Sequence, residues 1–165
     1  MTASSTNSAS VRVDAAVVRA IAAHAGEAGA LLPILHDIQD TLGWLPPEVT
    51  PAVAHALNLS KAEVRGVISF YHDFRTAPPG RAVVKVCRAE ACQARGSDAL
   101  VAHAEAHLGV GMHHTRADGA VTLEPVYCLG NCALGPNVTV NGELAGRVSP
   151  ARFDALVASV TKEGA

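Results

Sequence analysis

The sequence lacks the features that would place a protein in a membrane or outside the cell. No apolar run approaches the roughly 20 residues that a membrane-spanning helix requires, and the richest one, from Ala15 to Ala23, is interrupted by Arg19. Residues 1–10 contain no basic segment, no apolar segment and no twin arginine, so they do not resemble an export signal. We therefore expect a cytoplasmic protein, in a reducing compartment where structural disulfides are rare.

Charge is scarce, and neither sign dominates a region. Charged residues make up 17% of the chain and the net charge is −2. Residues 1–80 carry 5 basic and 7 acidic side chains, and residues 81–165 carry 8 of each. Neither half has the basic excess that is typical of nucleic-acid-binding proteins. A Rossmann glycine fingerprint and a phosphate-binding loop are also missing, so we expect no nucleotide on this chain.

The first part of the chain predicts a disordered tail followed by a small helical module. Residues 1–10 are rich in serine, threonine and alanine, and we expect them to be the disordered tail. In the module, residues 11–78, apolar side chains at helical spacing predict four short helices, at about 11–26, 30–41, 48–57 and 60–71. Ser60 and Glu63 form a capping-box pattern at the start of the last one. The breaker Thr76-Ala77-Pro78-Pro79-Gly80 ends the module.

Residues 79–165 predict an α/β domain, because β-branched runs now alternate with helical patterns. Ser97 can cap a helix, and Asn141-Gly142 is a strong hairpin signal. Ser149 and Pro150 begin the last helix. The predicted elements are a strand at 82–86, a helix at 98–108, strands at 121–127, 137–140 and 144–148, and a helix from residue 150.

All four cysteines follow the first two predicted strands of this domain, in the spacings Cys87-x₄-Cys92 and Cys128-x₃-Cys132. A strand–helix–strand unit has parallel strands joined by a right-handed crossover, so the carboxyl ends of both strands fall at the same edge of the sheet. Open α/β folds place their sites at that edge. We therefore expect the four thiols to converge, although 35 residues separate Cys92 from Cys128.

Convergent thiols in a reducing cell allow several interpretations. A disulfide is disfavoured by the compartment, and a thioredoxin-type redox couple would need a C-x-x-C motif, which neither pair has. Structural zinc is a serious alternative, because four cysteines suit it and similar spacings are tolerated. The wider spacings also suit the larger [2Fe–2S] cluster. Spacing alone leaves iron–sulfur and zinc about equally open, and four unrelated buried cysteines are a weaker third interpretation.

The residues around the cysteines resemble the thioredoxin-like [2Fe–2S] ferredoxins. These subunits accompany the flavin subunit in respiratory complex I, in NAD-linked hydrogenases and in NAD-dependent formate dehydrogenases. The resemblance rests on the signature Cys87-x₄-Cys92-x₃₅-Cys128-Leu-Gly-Asn-Cys132 and on four further segments. Those segments are Leu32-Pro33, Gly43-Trp44-Leu45-Pro46, Val67-Ile68-Ser69-Phe70-Tyr71-x-x-Phe74 and Asp118-Gly119-x-Val121-Thr122-Leu123.

This resemblance implies a thioredoxin-like α/β fold over residues 79–165 and one [2Fe–2S] cluster bound by Cys87, Cys92, Cys128 and Cys132. Within the family, the segments at 70–75, 87–93 and 126–132 most resemble the gamma subunit of soluble NAD-dependent formate dehydrogenase. The implied function is a non-catalytic one-electron carrier next to the flavin subunit of a cytoplasmic formate dehydrogenase complex.

The same resemblance implies that FMN, NAD and the molybdenum cofactor lie only on partner subunits. Those partners would be a flavin- and iron–sulfur-containing NAD-binding subunit and a molybdenum-containing catalytic subunit, with no nucleic acid and no membrane insertion. Equivalent subunits of NADH:quinone oxidoreductase or of an NAD-linked hydrogenase are the alternatives within the family. A zinc-stabilised binding module is the alternative of another class.

A few other residues have simpler interpretations. His113 and His114, where many family members have threonines, are expected in a solvated loop, and a polar helix face explains His103 and His107 better than zinc does. Because Gly130 has no Cβ, it permits a positive φ and a close approach of the backbone, and N–H groups of this loop are expected to donate to sulfur. Gly96 and Gly135 are better explained as ordinary turn residues. The aromatic residues of the helical module are expected to pack within it or to form part of a partner interface; they are Trp44, Phe70, Tyr71 and Phe74.

Overall fold

Two consecutive prolines separate a helical unit from a mixed α/β unit. The structure is a computed structural model that describes residues 3–161, and the chain divides into Met1–Pro78 and Pro79–Ala165. The helices of the first unit are α1 (Ala3–Ala23), α2 (Leu31–Leu42), α3 (Val49–Ala56) and α4 (Lys61–Phe70). Over the range described, none of the helices combines the length and the hydropathy needed to cross a membrane.

The first helix begins earlier than its sequence pattern predicts. Residues 3–10, expected to belong to a disordered tail, are part of α1, while Met1 and Thr2 lie outside the described residues. The apolar face of this helix buries Ala16, Val17 and Ala20. Once a helix is nucleated, each further residue adds one backbone hydrogen bond, and neither proline nor glycine interrupts residues 3–23. The helix can therefore extend through a segment that contributes little apolar surface.

Predicted caps position the other helices of this unit. Gly43 ends α2 with φ 84°, and its N–H donates to Gln39 O at 2.6 Å. The capping box of α4 is present, with Glu63 N–H donating to Ser60 Oγ at 3.1 Å and Ser60 N–H donating to Glu63 Oε2 at 2.8 Å. The helices enclose one apolar cluster, whose most deeply buried members are Ile34, Leu35, Ile38, Val49, Val53 and Val64.

The aromatic residues of this unit do not share one environment. Phe74 is buried and Trp44 is half-buried. Phe70 and Tyr71, at the end of α4, are exposed and contact each other edge to face with ring centroids 5.1 Å apart. Gln39 ties the segment after α4 to α2, because its side chain donates to Asp73 O and accepts from the N–H of Arg75.

The second unit is built on a five-stranded sheet. Its strands are β1 (Ala82–Cys87), β2 (His114–Thr115), β3 (Val121–Val126), β4 (Val138–Val140) and β5 (Glu143–Ala145), in the order β2-β3-β1-β4-β5. β1 and β3 run parallel, as predicted, whereas β4 is antiparallel to β1 and forms a hairpin with β5. The helices are α5 (Glu90–Gln93), α6 (Ser97–Leu108) and α7 (Pro150–Thr161). Side chains from the sheet, α6 and α7 enclose one core, including Val84, Val86, Val121, Leu123, Leu108 and Phe153.

Three details of the second unit differ from the sequence prediction. The predicted strand at 144–148 is the shorter β5, because the tight turn at Asn141-Gly142 pairs Glu143 directly with Val140. After β5, the N–H of Val148 donates to Pro136 O, outside the hairpin. The short strand β2 and the four-residue helix α5 were not predicted.

Candidate metal centre

The ends of the two parallel strands position both groups of cysteines. Cys87 is the last residue of β1 and stands in register with Val126, the last residue of β3. Cys128 follows two residues after that strand end. The N–H of Arg88 donates to Val126 O at 2.8 Å, so the sequence leaving β1 stays bonded to the end of β3. The structure therefore brings residues 87–92, the first cysteine loop, and residues 128–132, the second cysteine loop, to the same edge of the sheet.

A short helix folds the first cysteine loop back on itself. The N–H of Cys92 donates to Ala89 O at 2.9 Å, within the turn that α5 forms. The two thiols, Cys87 and Cys92, are each only 1% exposed and are hydrogen-bonded to each other. Four residues separate them because one helical turn must fit in between. The segment Ala-Glu-Ala-Cys-Gln-Ala consists mostly of good helix formers, and this was the signal that could have predicted α5.

The second cysteine loop has the opposite character. Cys128 and Cys132 are both exposed, and their sulfur atoms are 3.6 Å apart. Cys128 has φ 86° and Gly130 has φ 76°, so the loop turns through left-handed backbone twice. This conformation is uncommon for any residue with a Cβ. It allows the N–H of Gly130 to donate to Cys128 Sγ at 3.4 Å, in line with the expectation that N–H groups of this loop bond to sulfur.

Backbone N–H groups from both loops point at one sulfur. The pKa of the Cys87 thiol is lowered from its ordinary value. Burial acts to raise this pKa, but the N–H of Ala89, the Cys92 thiol and the N–H groups of Cys128 and Leu129 donate to the sulfur and outweigh it. Donors of this kind stabilise negative charge on sulfur, whether in a thiolate or in a metal-bound thiolate.

Two other thiols, those of Cys92 and Cys132, have a raised pKa. Burial raises the pKa of the Cys92 thiol, and its hydrogen bond to Cys87 raises it further, although Asn137 acts against both. The pKa of the Cys132 thiol is raised chiefly by its hydrogen bond to Cys128. Both groups lie beside another cysteine that competes for negative charge. A cation between the sulfurs would remove this competition, because metal binding requires deprotonated thiols.

Asn137 is buried and forms hydrogen bonds to both cysteine loops. It is 1% exposed, and its Nδ2 lies 3.4 Å from Cys92 Sγ and 2.8 Å from Asn131 O. Its Oδ1 accepts a hydrogen bond from Asn131 Nδ2 at 2.9 Å, and its carbonyl accepts from the N–H of Cys87 at 3.0 Å. Sequence reasoning placed Asn137 only at the start of a strand. A polar residue opening an apolar strand beside a cysteine loop was the available signal.

Two glycines allow other residues to pack closely against the cysteine loops. A Cβ on Gly135 would lie 3.2 Å from Cys92 Sγ and 3.1 Å from Arg95 Cδ. A Cβ on Gly146 would lie 2.9 Å from Asn131 Nδ2, behind the second cysteine loop. Contacts this short would force neighbouring atoms to shift. The expectation that Gly135 is an ordinary turn residue is therefore wrong, because the close approach arises from tertiary packing that local sequence does not encode.

Ser97 also has a different role from the predicted one. It is the first residue of α6 rather than its cap, since Gly96 occupies the cap position with φ 90°. The Ser97 hydroxyl is buried and donates to Cys87 O. The Ser97 hydroxyl thus forms a hydrogen bond between the start of α6 and the end of β1, instead of capping the helix. The predicted cap of the last helix is present, with the N–H of Arg152 donating to Ser149 Oγ at 3.3 Å.

The sulfurs are arranged as two neighbouring pairs. Two thiolates on a tetrahedral ion with bonds of about 2.3 Å are about 3.8 Å apart, close to the 3.6 Å between Cys128 and Cys132. A single zinc ion would hold all four sulfurs at that mutual distance, whereas a [2Fe–2S] cluster requires it only within each pair. Two close pairs of sulfurs suit the longer [2Fe–2S] cluster.

The exposed histidines of the predicted solvated loop are not part of this site. His113 and His114 are both exposed, and His114 Nδ1 lies 2.7 Å from Met112 O. His114 belongs to the edge strand β2.

Comparison with known proteins gives a consistent result. The sequence profile of the thioredoxin-like [2Fe-2S] ferredoxins matches residues 17–161. One subunit of the NADH-quinone oxidoreductase of Pseudomonas aeruginosa is 35% identical over 121 residues, which are 73% of this chain and 73% of that protein. The HndA subunit of the NADP-reducing hydrogenase of Solidesulfovibrio fructosivorans is 34% identical over 130 residues, 79% of this chain and 76% of its own.

A solved structure extends the comparison to three dimensions. A chain of an NAD⁺-reducing [NiFe]-hydrogenase in the air-oxidised state matches 79% of this chain with a TM-score of 0.67 and 26% identity. The matched part is only 22% of that hydrogenase chain. The rest of the hydrogenase chain lies outside the match.

Proposed function

Because the chain belongs to the thioredoxin-like [2Fe-2S] ferredoxin family, whose members carry one [2Fe–2S] cluster, we propose that Cys87, Cys92, Cys128 and Cys132 hold that cluster here. The observation that carries this proposal is the grouping of the sulfurs into two close pairs at one sheet edge. Each pair suits one iron. When bound, the cluster supplies a one-electron couple, and the protein acts as an electron carrier.

The residues around the sulfurs support this function. N–H groups from Ala89, Cys128 and Leu129 are directed at Cys87, and the N–H of Gly130 is directed at Cys128. Such donors stabilise the more negative reduced form and so raise the reduction potential. Asn137 adds a side-chain donor to Cys92.

The exposed loop is the side on which we expect electrons to be exchanged. Cys128 and Cys132 are exposed, and Tyr127 beside them is 71% exposed. The first cysteine loop, in contrast, is covered by the fold. A redox partner can therefore approach the second cysteine loop closely without any rearrangement of the core.

The partner we propose is a flavin- and iron–sulfur-containing NAD-binding subunit of a cytoplasmic complex. Relatives at 34–35% identity are subunits of an NADH-quinone oxidoreductase and of an NADP-reducing hydrogenase. In the NAD⁺-reducing hydrogenase, a region like this chain is part of a much longer polypeptide. A module that occurs covalently joined to a larger partner is expected to dock on a similar partner when it is a separate chain.

The finer assignment we propose is the gamma subunit of an NAD-dependent formate dehydrogenase, whose catalytic subunit would contain molybdenum. It rests on the residues at 70–75, 87–93 and 126–132. The corresponding subunits of NADH:quinone oxidoreductase and of an NAD-linked hydrogenase are the alternatives, and the relatives include a subunit of each kind of complex.

Chemical analysis of the purified full chain tests the cofactor. We expect a red-brown protein with about two irons and two sulfides per chain and a rhombic paramagnetic signal after reduction. Serine at any one of the four cysteines should abolish or strongly reduce the cluster, whereas Ala133→Ser, which adds a hydroxyl at an exposed neighbouring position, should leave it intact. A colourless protein with one zinc ion would overturn the proposal.

Co-purification from the native host tests the complex. A tagged copy of the chain should retain a flavin subunit together with a molybdenum-containing subunit. A nickel-containing subunit would instead identify a hydrogenase, and membrane subunits would identify a quinone oxidoreductase. Recovery of the chain without any flavoprotein would contradict the proposed partner.

A further inference from the structure

A second group of metal-ligating side chains lies on the two long helices of the α/β unit. His103 and His107 are four residues apart on α6, and Asp154 belongs to α7. Asp154 Oδ1 is 2.7 Å from His103 Nε2 and 3.2 Å from His107 Nδ1. The sequence alone contained no reason to join the histidines to this aspartate. Packing of α6 against α7 creates the group.

Core packing fixes the positions of these three side chains. Phe153, which precedes Asp154, is completely buried. Its ring meets His103 and His107 edge-on, with centroids 6.1 and 6.3 Å apart and interplanar angles of 85° and 86°. The two imidazoles lie nearly parallel, 5.8 Å apart. The residue that anchors α7 in the core therefore also sets the distance between the carboxylate and the imidazoles, as a preorganised site requires.

We propose that His103, His107 and Asp154 form a binding site for a divalent transition-metal ion such as Zn²⁺ or Ni²⁺. Two imidazole nitrogens and one carboxylate oxygen are ligands that these ions accept, whereas Ca²⁺ and Mg²⁺ prefer oxygen ligands throughout. The three side chains are 31%, 38% and 39% exposed. An ion can reach them from solvent, and water can occupy its remaining coordination position.

Two of the three distances between ligand atoms are already close to those around a bound ion. In a tetrahedral site with bonds of about 2.0–2.1 Å, neighbouring ligand atoms are about 3.3 Å apart. The carboxylate oxygen of Asp154 now bonds both rings at 2.7 and 3.2 Å. Insertion of an ion would replace these hydrogen bonds, and the two ring nitrogens, which lie within 4.8 Å of each other, would have to settle about 3.3 Å apart. The ligating nitrogen of each ring must then be unprotonated, with the ring proton on its other nitrogen.

A bound ion would join α6 to α7 without touching a cysteine. α6 starts at Ser97, whose hydroxyl donates to Cys87 O, so this helix is directly attached to the end of β1. Any ligand that binds only the folded chain stabilises it by mass action. The site is thus a metal-dependent connection between the two helices that cover the sheet.

Titration of nickel chloride into the cluster-loaded full chain, prepared without a polyhistidine tag, tests the proposal. We expect one Ni²⁺ per chain by calorimetry and a melting temperature that rises with nickel concentration. His107→Gln, His103→Gln and Asp154→Asn should each weaken binding by at least about tenfold. The matched control is His113→Gln/His114→Gln, which removes two exposed histidines from another part of the same unit and should bind as the wild type does.

All five chains keep the four cysteines, so the difference between the control and the three variants reports this site whatever the cysteines hold. Visible circular dichroism of the cluster identifies any variant that does not fold. The nickel affinities of the folded variants then test the proposal. Equal nickel affinity in the wild type and in every folded variant would overturn the proposal. So would a wild type that binds no nickel.

Discussion

The two cysteine loops meet at one sheet edge but are built differently. The first cysteine loop buries both of its thiols and folds them together through a helical turn. The second cysteine loop exposes both of its thiols and depends on left-handed backbone at Cys128 and Gly130. The difference shows that only half of the proposed cluster site is shaped by the hydrophobic core. The other half is shaped by backbone conformation and remains open to a partner.

Alkylation should give the largest difference between the loops. In the metal-free chain under native conditions, we expect Cys128 and Cys132 to react with iodoacetamide at least about a hundredfold faster than Cys87 and Cys92, since buried thiols react only when the structure opens. Peptide mass spectrometry over time measures each rate. All four cysteines should react at similar rates in denaturant, and similar rates without denaturant would contradict the comparison.

Alanine at Gly135 should disturb the buried loop by crowding. Its Cβ would be 3.2 Å from Cys92 Sγ and 3.1 Å from Arg95 Cδ, and overpacking of this kind costs about 1–3 kcal/mol. We expect the free energy of unfolding to fall by that amount in urea titrations of the metal-free chain. Less iron should be incorporated as well.

Gly130→Ala is the matched variant in the exposed loop. An added Cβ there meets no atom within 4 Å, but the residue has φ 76°, so a cost of about 1–2 kcal/mol comes from backbone conformation. Asparagine, which tolerates this conformation, should recover part of the loss at Gly130 and none at Gly135. The reverse result would mean that the two glycines have been assigned the wrong roles.

Asn137→Ala should show how firmly the loops are joined. The substitution removes the partner of Asn131 and the side-chain donor to Cys92, and leaving buried polar groups unpaired costs about 1–3 kcal/mol. Urea unfolding measures the loss. Asn131→Ala, which removes one donor from the half-exposed side of the same pair, should cost less. If Asn131→Ala lowered the free energy of unfolding as much as Asn137→Ala or more, the buried Asn137 would not be the residue that holds the two loops together.

Ser97→Ala should give the smallest effect of the series. It removes the hydroxyl that donates to Cys87 O, with an expected loss of about 1 kcal/mol in the free energy of unfolding. Ser69→Ala is the control, because Ser69 is exposed and its hydroxyl donates to Gly66 O within α4. The control should change stability by less than about 0.5 kcal/mol. A stability change at Ser97 no larger than the control would show that this bond does not anchor α6.

The sequence predicted the part of the site that depends on regular elements. β-branched runs ending at Cys87 and near Cys128 predicted parallel strands with a helix between them, and the register of β1 and β3 confirms it. The lack of a Cβ at Gly130 indicated that a positive φ is permitted there, which the structure has, and the expected N–H donation to sulfur is made by Gly130 to Cys128. These features are local, or follow from the handedness of one crossover, so one sequence is enough to predict them.

What could not be predicted depends on packing between distant residues. Gly135 and Asn137 both pack against Cys92, although Asn137 lies 45 residues after that cysteine in the chain. Their roles arise from this contact between distant segments. α5 is a single turn without a periodic pattern, so only its helix-forming composition pointed to it, and the prediction missed that signal. Residues 3–10 are helical although their composition suggested a tail. Ligation by the four cysteines stays a prediction that iron analysis will decide.

The edges of the sheet have a consequence for how the α/β unit can associate. β2 has two residues, both exposed, and β5 has three, beginning with the charged Glu143. Sheet edges this short offer few free backbone groups to a foreign strand, which is one way in which proteins avoid edge-to-edge aggregation. A partner strand would find few hydrogen-bonding groups at either edge, which favours recognition through side chains of loops and helices. Recognition of that kind favours one specific subunit over promiscuous strand pairing.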